Sequence, residues 1–172
     1  MTAFLRLVGI LNAATWFGSA VFLTIALPAM FSEEMTRRLT APGVGFAAEA
    51  MVARFFEVQI CCGAIALAHL AAEWLYAGRP PQRLKVGLAM GLLGVALAGG
   101  LWAQPKMQKL HKEKYYGRTV EQQTQAARAF AVWHGASETV NMLVIGGLIL
   151  YLWSVSGPSE HARYSSFGKI RS

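Results

Sequence analysis

Residues 86–103 read V-G-L-A-M-G-L-L-G-V-A-L-A-G-G-L-W-A, a run without a single charged side chain. A helix needs roughly 20 apolar residues to cross a hydrocarbon core about 30 Å thick, so a run of this kind is typical of a membrane span. Three more apolar stretches of sufficient length occupy residues 5–30, 47–76 and 129–154. The sequence therefore predicts an all-α integral membrane protein, a four-helix bundle.

The overall composition agrees with this prediction. The chain has 172 residues, of which 55% are hydrophobic and 15% charged, and its mean hydropathy is +0.38. These values lie to the apolar side of soluble domains. We expect one transmembrane domain over residues 1–155 and a disordered polar tail over residues 156–172. The net charge of +7 comes mostly from Lys and Arg in connections and tails, which favours contact with the membrane surface and argues against nucleic acid.

A polar stretch separates the third span from the fourth. Pro105 ends the third apolar run, and residues 106–128 are basic, rich in Gln and composed mostly of good helix formers. We therefore expect a helical extension above the membrane between helices three and four.

Small residues form one face of the third span, where Gly87, Gly91 and Gly94 recur at helical spacing. Such a face lets a neighbouring helix approach closely. We expect it to pack inside the bundle, with dimer formation as the alternative.

Orientation rests on the connection at residues 78–85. An even number of spans puts both termini and this connection on one side of the membrane. The connection is short, has no acidic residue and carries Arg79, Arg83 and Lys85. Short loops weigh most in the positive-inside rule. We therefore predict a multi-pass protein of the cell membrane with cytoplasmic termini.

The fourth span carries polar residues where a spanning helix is normally apolar. They share one face at helical spacing: His134, Ser137, Glu138 and Asn141. Arg54 and Glu57, near the start of the second span, fall at a similar depth because spans two and four begin on the same side. A charge at the bilayer centre costs at least ~2.5–3.5 kcal/mol. We therefore expect these groups to face inward and converge, with Arg54 pairing a carboxylate.

Two interpretations of this cluster stay open at the level of sequence. A buried Arg–Glu pair with His and Asn hydrogen bonds can fix the register of the helices. Alternatively, the groups form a pocket for an ion, a proton, a lipid headgroup or a cofactor.

The histidines are the residues most suited to ligate haem or a metal. His69 and His134 are separated by roughly 25 Å along the membrane normal, at about 1.5 Å per residue, so they cannot share one iron. Ligation of haem or a chlorin by His134 alone is possible, but we expect no cofactor. Arg54 balances the charge of the nearby carboxylates, which argues against a divalent metal. We expect His69 and Glu73 to form an interfacial pair.

The remaining sequence holds no recognisable reaction motif. His111 and His161 lie in polar segments, and we expect both to be solvated. The chain has no Gly-rich phosphate loop, no GxSxG, no HExxH and no Asp, which argues against a hydrolase or a nucleotide-binding enzyme. We expect the protein not to be an enzyme.

Three short motifs carry a resemblance to a known family. The fourth span contains F-x-x-x-H-G-x-S-x-x-x-N, formed by Phe130, His134, Gly135, Ser137 and Asn141. The other two are Trp102-x-x-Pro105 and Trp16-Phe17-Gly18. In this combination the chain resembles the four-helix membrane family that includes vertebrate transmembrane protein 205 and bacterial proteins known only as a domain of unknown function. The resemblance implies the four-helix topology but no settled activity, and Glu138 is not part of its pattern.

The leading hypothesis is a non-enzymatic accessory or scaffolding subunit whose partners are the lipid bilayer and other membrane-protein subunits. The first alternative is a small transporter that uses Arg54, Glu57, His134 and Glu138 as an ion or proton relay. The sequence shows no similarity between its halves of the kind found in many transporters. The second alternative is a haem- or pigment-binding protein that uses His134.

Overall fold

The computed structural model describes residues 2–78 and 80–157. This part of the chain contains five α-helices and one π-helical turn: α1 (Thr2–Met30), α2 (Glu33–Ala77), α3 (Arg83–Ala98), the π-helical turn Gly99–Ala103, α4 (Gln104–Tyr116) and α5 (Val120–Ser156). It contains no β-strand. The predicted tail lies outside the described residues from 158 onward, and α5 extends to the start of that tail.

Within the described residues, four helical stretches are long and apolar enough to cross a membrane: Phe4–Met30, Pro42–Tyr76, Arg83–Tyr116 and Val120–Ser156. The prediction of an all-α membrane four-helix bundle is confirmed. The predicted extension is also helical, because α3 runs through the π-helical turn directly into α4.

Local sequence explains where the helices begin and end. Gly78 closes α2 in the left-handed conformation, with φ of 65°, and its N–H donates to the Trp74 carbonyl. A glycine is favoured there because other residues are strained at positive φ. Thr119 caps α5 by accepting a hydrogen bond from the Gln122 backbone N–H at 3.2 Å.

The helix α2 contains a sharp kink near its start. Thr40 has φ of 63° and ψ of 156°, a conformation that is rare outside glycine, and Pro42 follows two residues later. Proline removes a helical hydrogen bond and disfavours the helical conformation of the residue before it. The membrane-crossing part of α2 therefore starts after the kink, at Pro42.

The four spans form a closed ring in the order α1, α2, α3, α5. Each helix packs against its two neighbours in this ring, and within the described residues the backbones of α1 and α3, and those of α2 and α5, do not come close. The fully buried side chains at the centre include Trp16, Leu148 and Tyr151. The Trp16 and Tyr151 rings meet edge to face, with centroids 5.9 Å apart.

Tryptophan residues near the ends of the spans mark the depth of the membrane. Trp133 and Trp153 lie twenty residues apart on α5, about 30 Å of helix, which equals the thickness of the hydrocarbon core. Trp102 contacts Trp133 with ring centroids 5.1 Å apart. We call this level the distal boundary, because it lies away from the end where α1 begins. At the opposite end, where α1 begins and α5 ends, Arg6 donates to the Ser156 carbonyl at 2.9 Å.

The glycines pack differently from the prediction. A Cβ added at Gly87, Gly91 or Gly94 would meet nothing within 4 Å, so the expectation that this face packs inside the bundle is wrong. Close helix contacts occur instead at Gly63, which lies under Leu93, and at Gly147, which lies under Leu92. The glycine face of α3 therefore points away from the rest of the bundle.

Candidate functional site

A hydrogen-bond network in the core joins α1 to α2. The Trp16 indole N–H donates to the Gln59 side-chain oxygen. The Gln59 amide donates to the Ser19 hydroxyl at 3.1 Å, and that hydroxyl donates to the Trp16 carbonyl at 2.8 Å. Trp16 and Gln59 are both buried. Because every member has a partner inside the bundle, this network fixes the helix register.

Asn141 also has a structural contact. Its side-chain amide on α5 donates to the Thr24 hydroxyl on α1 at 2.8 Å. Thr24 in turn donates to the Ala20 carbonyl at 2.8 Å. Asn141 therefore ties α5 to α1, as the structural interpretation of the polar cluster predicts.

The other polar residues of α5 point outward. His134 Nε2 lies 3.1 Å from Glu138 Oε1, and the two side chains are 44% and 65% exposed. Ser137 and Gly135 are exposed as well, and a Cβ added at Gly135 would meet nothing within 4 Å. The expectation that His134 and Glu138 face inward is wrong. We call His134, Gly135, Ser137 and Glu138 the α5 polar face.

Arg54 pairs with Glu57 as expected, with Arg54 Nη1 2.7 Å from Glu57 Oε2. The side chains are 80% and 61% exposed, however, so this pair also faces outward. Phe56 packs on Gly99 and Gly100, which puts Arg54 close to the level of Trp102. A long Arg side chain at that level can reach the headgroups. The predicted convergence of the two pairs is therefore wrong.

A different pair, which the sequence did not single out, is buried between α2 and α4. His111 Nδ1 lies 2.8 Å from Glu49 Oε1, and the two side chains are only 7% and 20% exposed. The atoms are at ion-pair distance but lack the alignment of a good hydrogen bond. The expectation that His111 is solvated is wrong. We call this the His111–Glu49 pair.

A glycine makes room for the His111 ring. The ring lies directly against Gly45 of α2, and a Cβ at position 45 would overlap its Nε2 and Cε1 atoms. The Phe46 and Tyr115 rings flank it at centroid distances of 5.5 and 5.0 Å. Through these contacts α4 packs against the distal part of α2.

Phe130 connects this buried pair to the α5 polar face. Its ring lies 6.0 Å from the His111 ring on one side and stacks at 5.9 Å on the His134 ring on the other. The Lys114 ammonium lies 5.6 Å from the centroid of the Phe130 ring, a cation–π distance. Phe130 therefore contacts both His111 of the buried pair and His134 of the α5 polar face.

A sequence signal for His111 exists in the spacing of α4. Met107, Leu110, His111 and Lys114 recur at the i, i+3, i+4 and i+7 positions of one helix face. Leu110 and His111 are the buried members. The polar composition of the segment concealed this face, and Gly45 is too far away in the sequence to indicate the partner.

His69 is buried, and its Nε2 lies 2.8 Å from the Leu5 carbonyl, above Gly9. Glu73 is exposed, so the expected interfacial His69–Glu73 pair is not formed. His161 lies outside the described residues. Within the described residues no group of three or more His, Cys, Asp or Glu could hold a metal ion.

The family comparison covers well over half of the chain. The family described as "Domain of unknown function (DUF4149)" matches residues 11–116. The chain belongs to the DUF4149 family. The DUF4149 region contains α4 and most of α1, together with the whole of α2 and α3, so it includes both Glu49 and His111.

The α5 polar face and Asn141 lie beyond the DUF4149 match. Of the motif residues identified in the sequence, Trp16, Gly18, Trp102 and Pro105 fall inside it. Comparisons with curated proteins and with solved structures find no match.

Proposed function

We propose that this DUF4149 protein is a non-enzymatic accessory or scaffolding subunit of a larger membrane assembly. In this proposal the α5 polar face is the surface that contacts another subunit. The observation that carries it is the exposure of Glu138, whose side chain is 65% exposed on a membrane-crossing helix.

The depth of Glu138 makes this exposure costly in lipid. Glu138 lies five residues beyond Trp133, about 7–8 Å inside the distal boundary. An ionised carboxylate in hydrocarbon is unfavourable by at least ~2.5–3.5 kcal/mol at the bilayer centre, and by less toward the interface. His134 provides one contact at 3.1 Å, but much of the carboxylate stays uncovered. Contact with another protein helix would remove it from lipid.

The neighbouring residues fit such a contact. Gly135 and Ser137 are small and exposed on the same helix, and small residues let two membrane helices approach closely. A partner helix with Ser, Thr or Asn, or with a cationic side chain, would supply hydrogen-bond donors to Glu138. The expected partner is therefore a donor-bearing transmembrane helix of another protein.

The first test is the native mass of the protein extracted from its own membrane in mild detergent. Additional protein mass that is retained by the wild type and lost in Glu138→Leu would support the proposal. Leu143→Ala is the control, because Leu143 is 72% exposed on the same helix but apolar. A bare chain or a simple homo-oligomer would contradict the proposal.

A proton or ion relay through Arg54, Glu57, His134 and Glu138 is the second candidate. The favourable observation is the close contact of an imidazole and a carboxylate within a span. It has less support because the two pairs sit on α2 and α5, which are opposite each other in the ring. The test is proton flux into vesicles that contain the reconstituted protein. Flux through the wild type that is lost in Glu138→Gln would support the relay.

We further propose that the protein is a cell-membrane protein with cytoplasmic termini and no bound cofactor, and that it is related to transmembrane protein 205. The acid-free connection at residues 78–85 supports the orientation, and a reporter fused after Ser172 tests it. The motifs at Trp16, Trp102 and His134 support the relationship. An absorption spectrum of the purified protein tests for haem or a chlorin on His134.

A further inference from the structure

The outer face of α4 carries a row of lysines in line with an exposed tryptophan. Trp102 of the π-helical turn is followed at spacings of four, three and three residues by Lys106, Lys109 and Lys112. All four residues are exposed, and Trp102 is 65% exposed. The side of α4 that packs on the bundle is buried through Leu110 and His111. We call Lys106, Lys109 and Lys112 the α4 lysine row.

The position of this row follows from the distal boundary. Trp102 lies at that boundary through its contact with Trp133. Lys106 and Lys109 follow at about 6 and 10 Å along the helix axis, at 1.5 Å per residue. The polar headgroup layer is about 5–8 Å thick on each side of the hydrocarbon core. Because a lysine side chain is long and flexible, both ammonium groups can reach this layer.

The charges of the row are largely uncompensated by the protein. Lys109 Nζ lies 3.9 Å from Glu113 Oε1, at the outer limit of an ion pair. Within residues 2–78 and 80–157, neither Lys106 nor Lys112 forms a salt bridge. The arginines on α2 differ, since Arg38 is paired with Glu34 at 2.6 Å and Arg54 with Glu57 at 2.7 Å.

Exposed apolar residues next to the row, on its membrane side, provide a surface for acyl chains. Leu101 is 74% exposed beside Trp102, and both lie at the level where acyl chains begin. A lipid whose chains contact Leu101 and Trp102 has its headgroup beside Lys106 and Lys109. We propose that this surface is a binding site for an anionic phospholipid, with the lipid phosphate held by Lys106 and Lys109 and the chains packed on the two apolar residues.

The test is lipid binding to the purified full-length protein in a neutral detergent, measured by native mass spectrometry. The two probes are phosphatidylglycerol and phosphatidylcholine with identical acyl chains. We expect tighter binding of phosphatidylglycerol by the wild type. The variant Lys106→Gln/Lys109→Gln should weaken it on the order of thirtyfold, which corresponds to about 1 kcal/mol for each of the two basic side chains near the lipid headgroup.

The matched control is Arg83→Gln/Lys85→Gln, which removes the same charge at the start of α3, on the other side of the membrane. It should leave the phosphatidylglycerol affinity unchanged. Equal binding of the two lipids by the wild type would overturn the proposal, as would equal losses in the two variants. None of the four substituted residues is buried, so both variants should unfold at the wild-type temperature; this check separates lost binding from lost folding.

The result is independent of the accessory-subunit proposal. The α4 lysine row and the α5 polar face are different surfaces, and Glu138→Leu should retain wild-type phosphatidylglycerol binding. Loss of lipid binding in Glu138→Leu would contradict the assignment of the site to α4.

Discussion

The ring of His111 rests directly on the backbone of Gly45, and no side chain could occupy position 45 without displacing it. The contact joins residues that are far apart in the sequence and holds α4 against α2. It also brings His111 to within 2.8 Å of Glu49, one helical turn from Gly45. The packing of the distal end of the bundle therefore depends on a glycine and a histidine that the sequence alone does not connect.

Gly45→Ala should lower the stability of the protein. The added methyl group would overlap the His111 ring, and overpacking of this kind typically costs about 1–3 kcal/mol. The measurement is the thermal unfolding midpoint of the purified protein in detergent. Gly91→Ala is the control, because a Cβ at position 91 meets nothing within 4 Å. Adding His111→Ala to Gly45→Ala should recover part of the loss, and an unchanged midpoint for Gly45→Ala would contradict the packing described.

Removing one member of the His111–Glu49 pair should also destabilise the protein. His111→Leu leaves the Glu49 carboxylate largely buried without its partner, and an unpartnered buried polar group costs about 1–3 kcal/mol, or more when charged. Glu49→Gln should have a smaller effect because the amide is neutral. His134→Leu is the comparison, since its side chain is 44% exposed. The two losses should not add in the double variant; additive losses would indicate that the side chains do not interact.

Gln59→Leu should destabilise the core of the bundle. It removes the acceptor of the Trp16 indole N–H, which is buried and has no access to water. We expect a loss of about 1–3 kcal/mol in the free energy of unfolding, the usual penalty for an orphaned buried donor. Combining Gln59→Leu with Trp16→Phe removes the donor as well and should cost less than the sum of the two single changes. If the double variant lost as much stability as the two single variants together, the hydrogen bond between Trp16 and Gln59 would not be the cause of the loss.

Asn141→Leu and Glu138→Leu should have different effects on the stability of the protein in detergent. Asn141 bonds to Thr24 across α1 and α5, and such bonds between membrane helices contribute about 0.6 kcal/mol on average. We expect a small loss of stability for Asn141→Leu in detergent. Glu138→Leu should leave the stability of the isolated protein unchanged or raise it, because the carboxylate is exposed. A large loss for Glu138→Leu would assign Glu138 a structural role and argue against docking through the α5 polar face.

The presence of four apolar helices long enough to cross a membrane could be predicted from the sequence because it depends on local composition and on the thickness of the bilayer. The run at residues 86–103 is apolar on all sides, so its identity as a membrane helix needs no knowledge of its neighbours. Pro105 and the helix formers after it predicted the helical extension. The pairing of Arg54 with Glu57 was also predictable, because three residues on one helix bring the two side chains together.

The orientation of each helix about its axis was decided only by the tertiary structure. A helix that is apolar all round has no local pattern that separates a lipid-facing side from a core-facing side. Polar residues do give such a pattern, but not its direction: the inward positions predicted for Arg54, Glu57, His134 and Glu138 were wrong because these side chains are largely exposed, and the burial of His111 was missed. Which side faces inward depends on where small residues such as Gly45, Gly63 and Gly147 meet side chains of other helices. Those contacts join distant parts of the sequence, so only the folded bundle defines them.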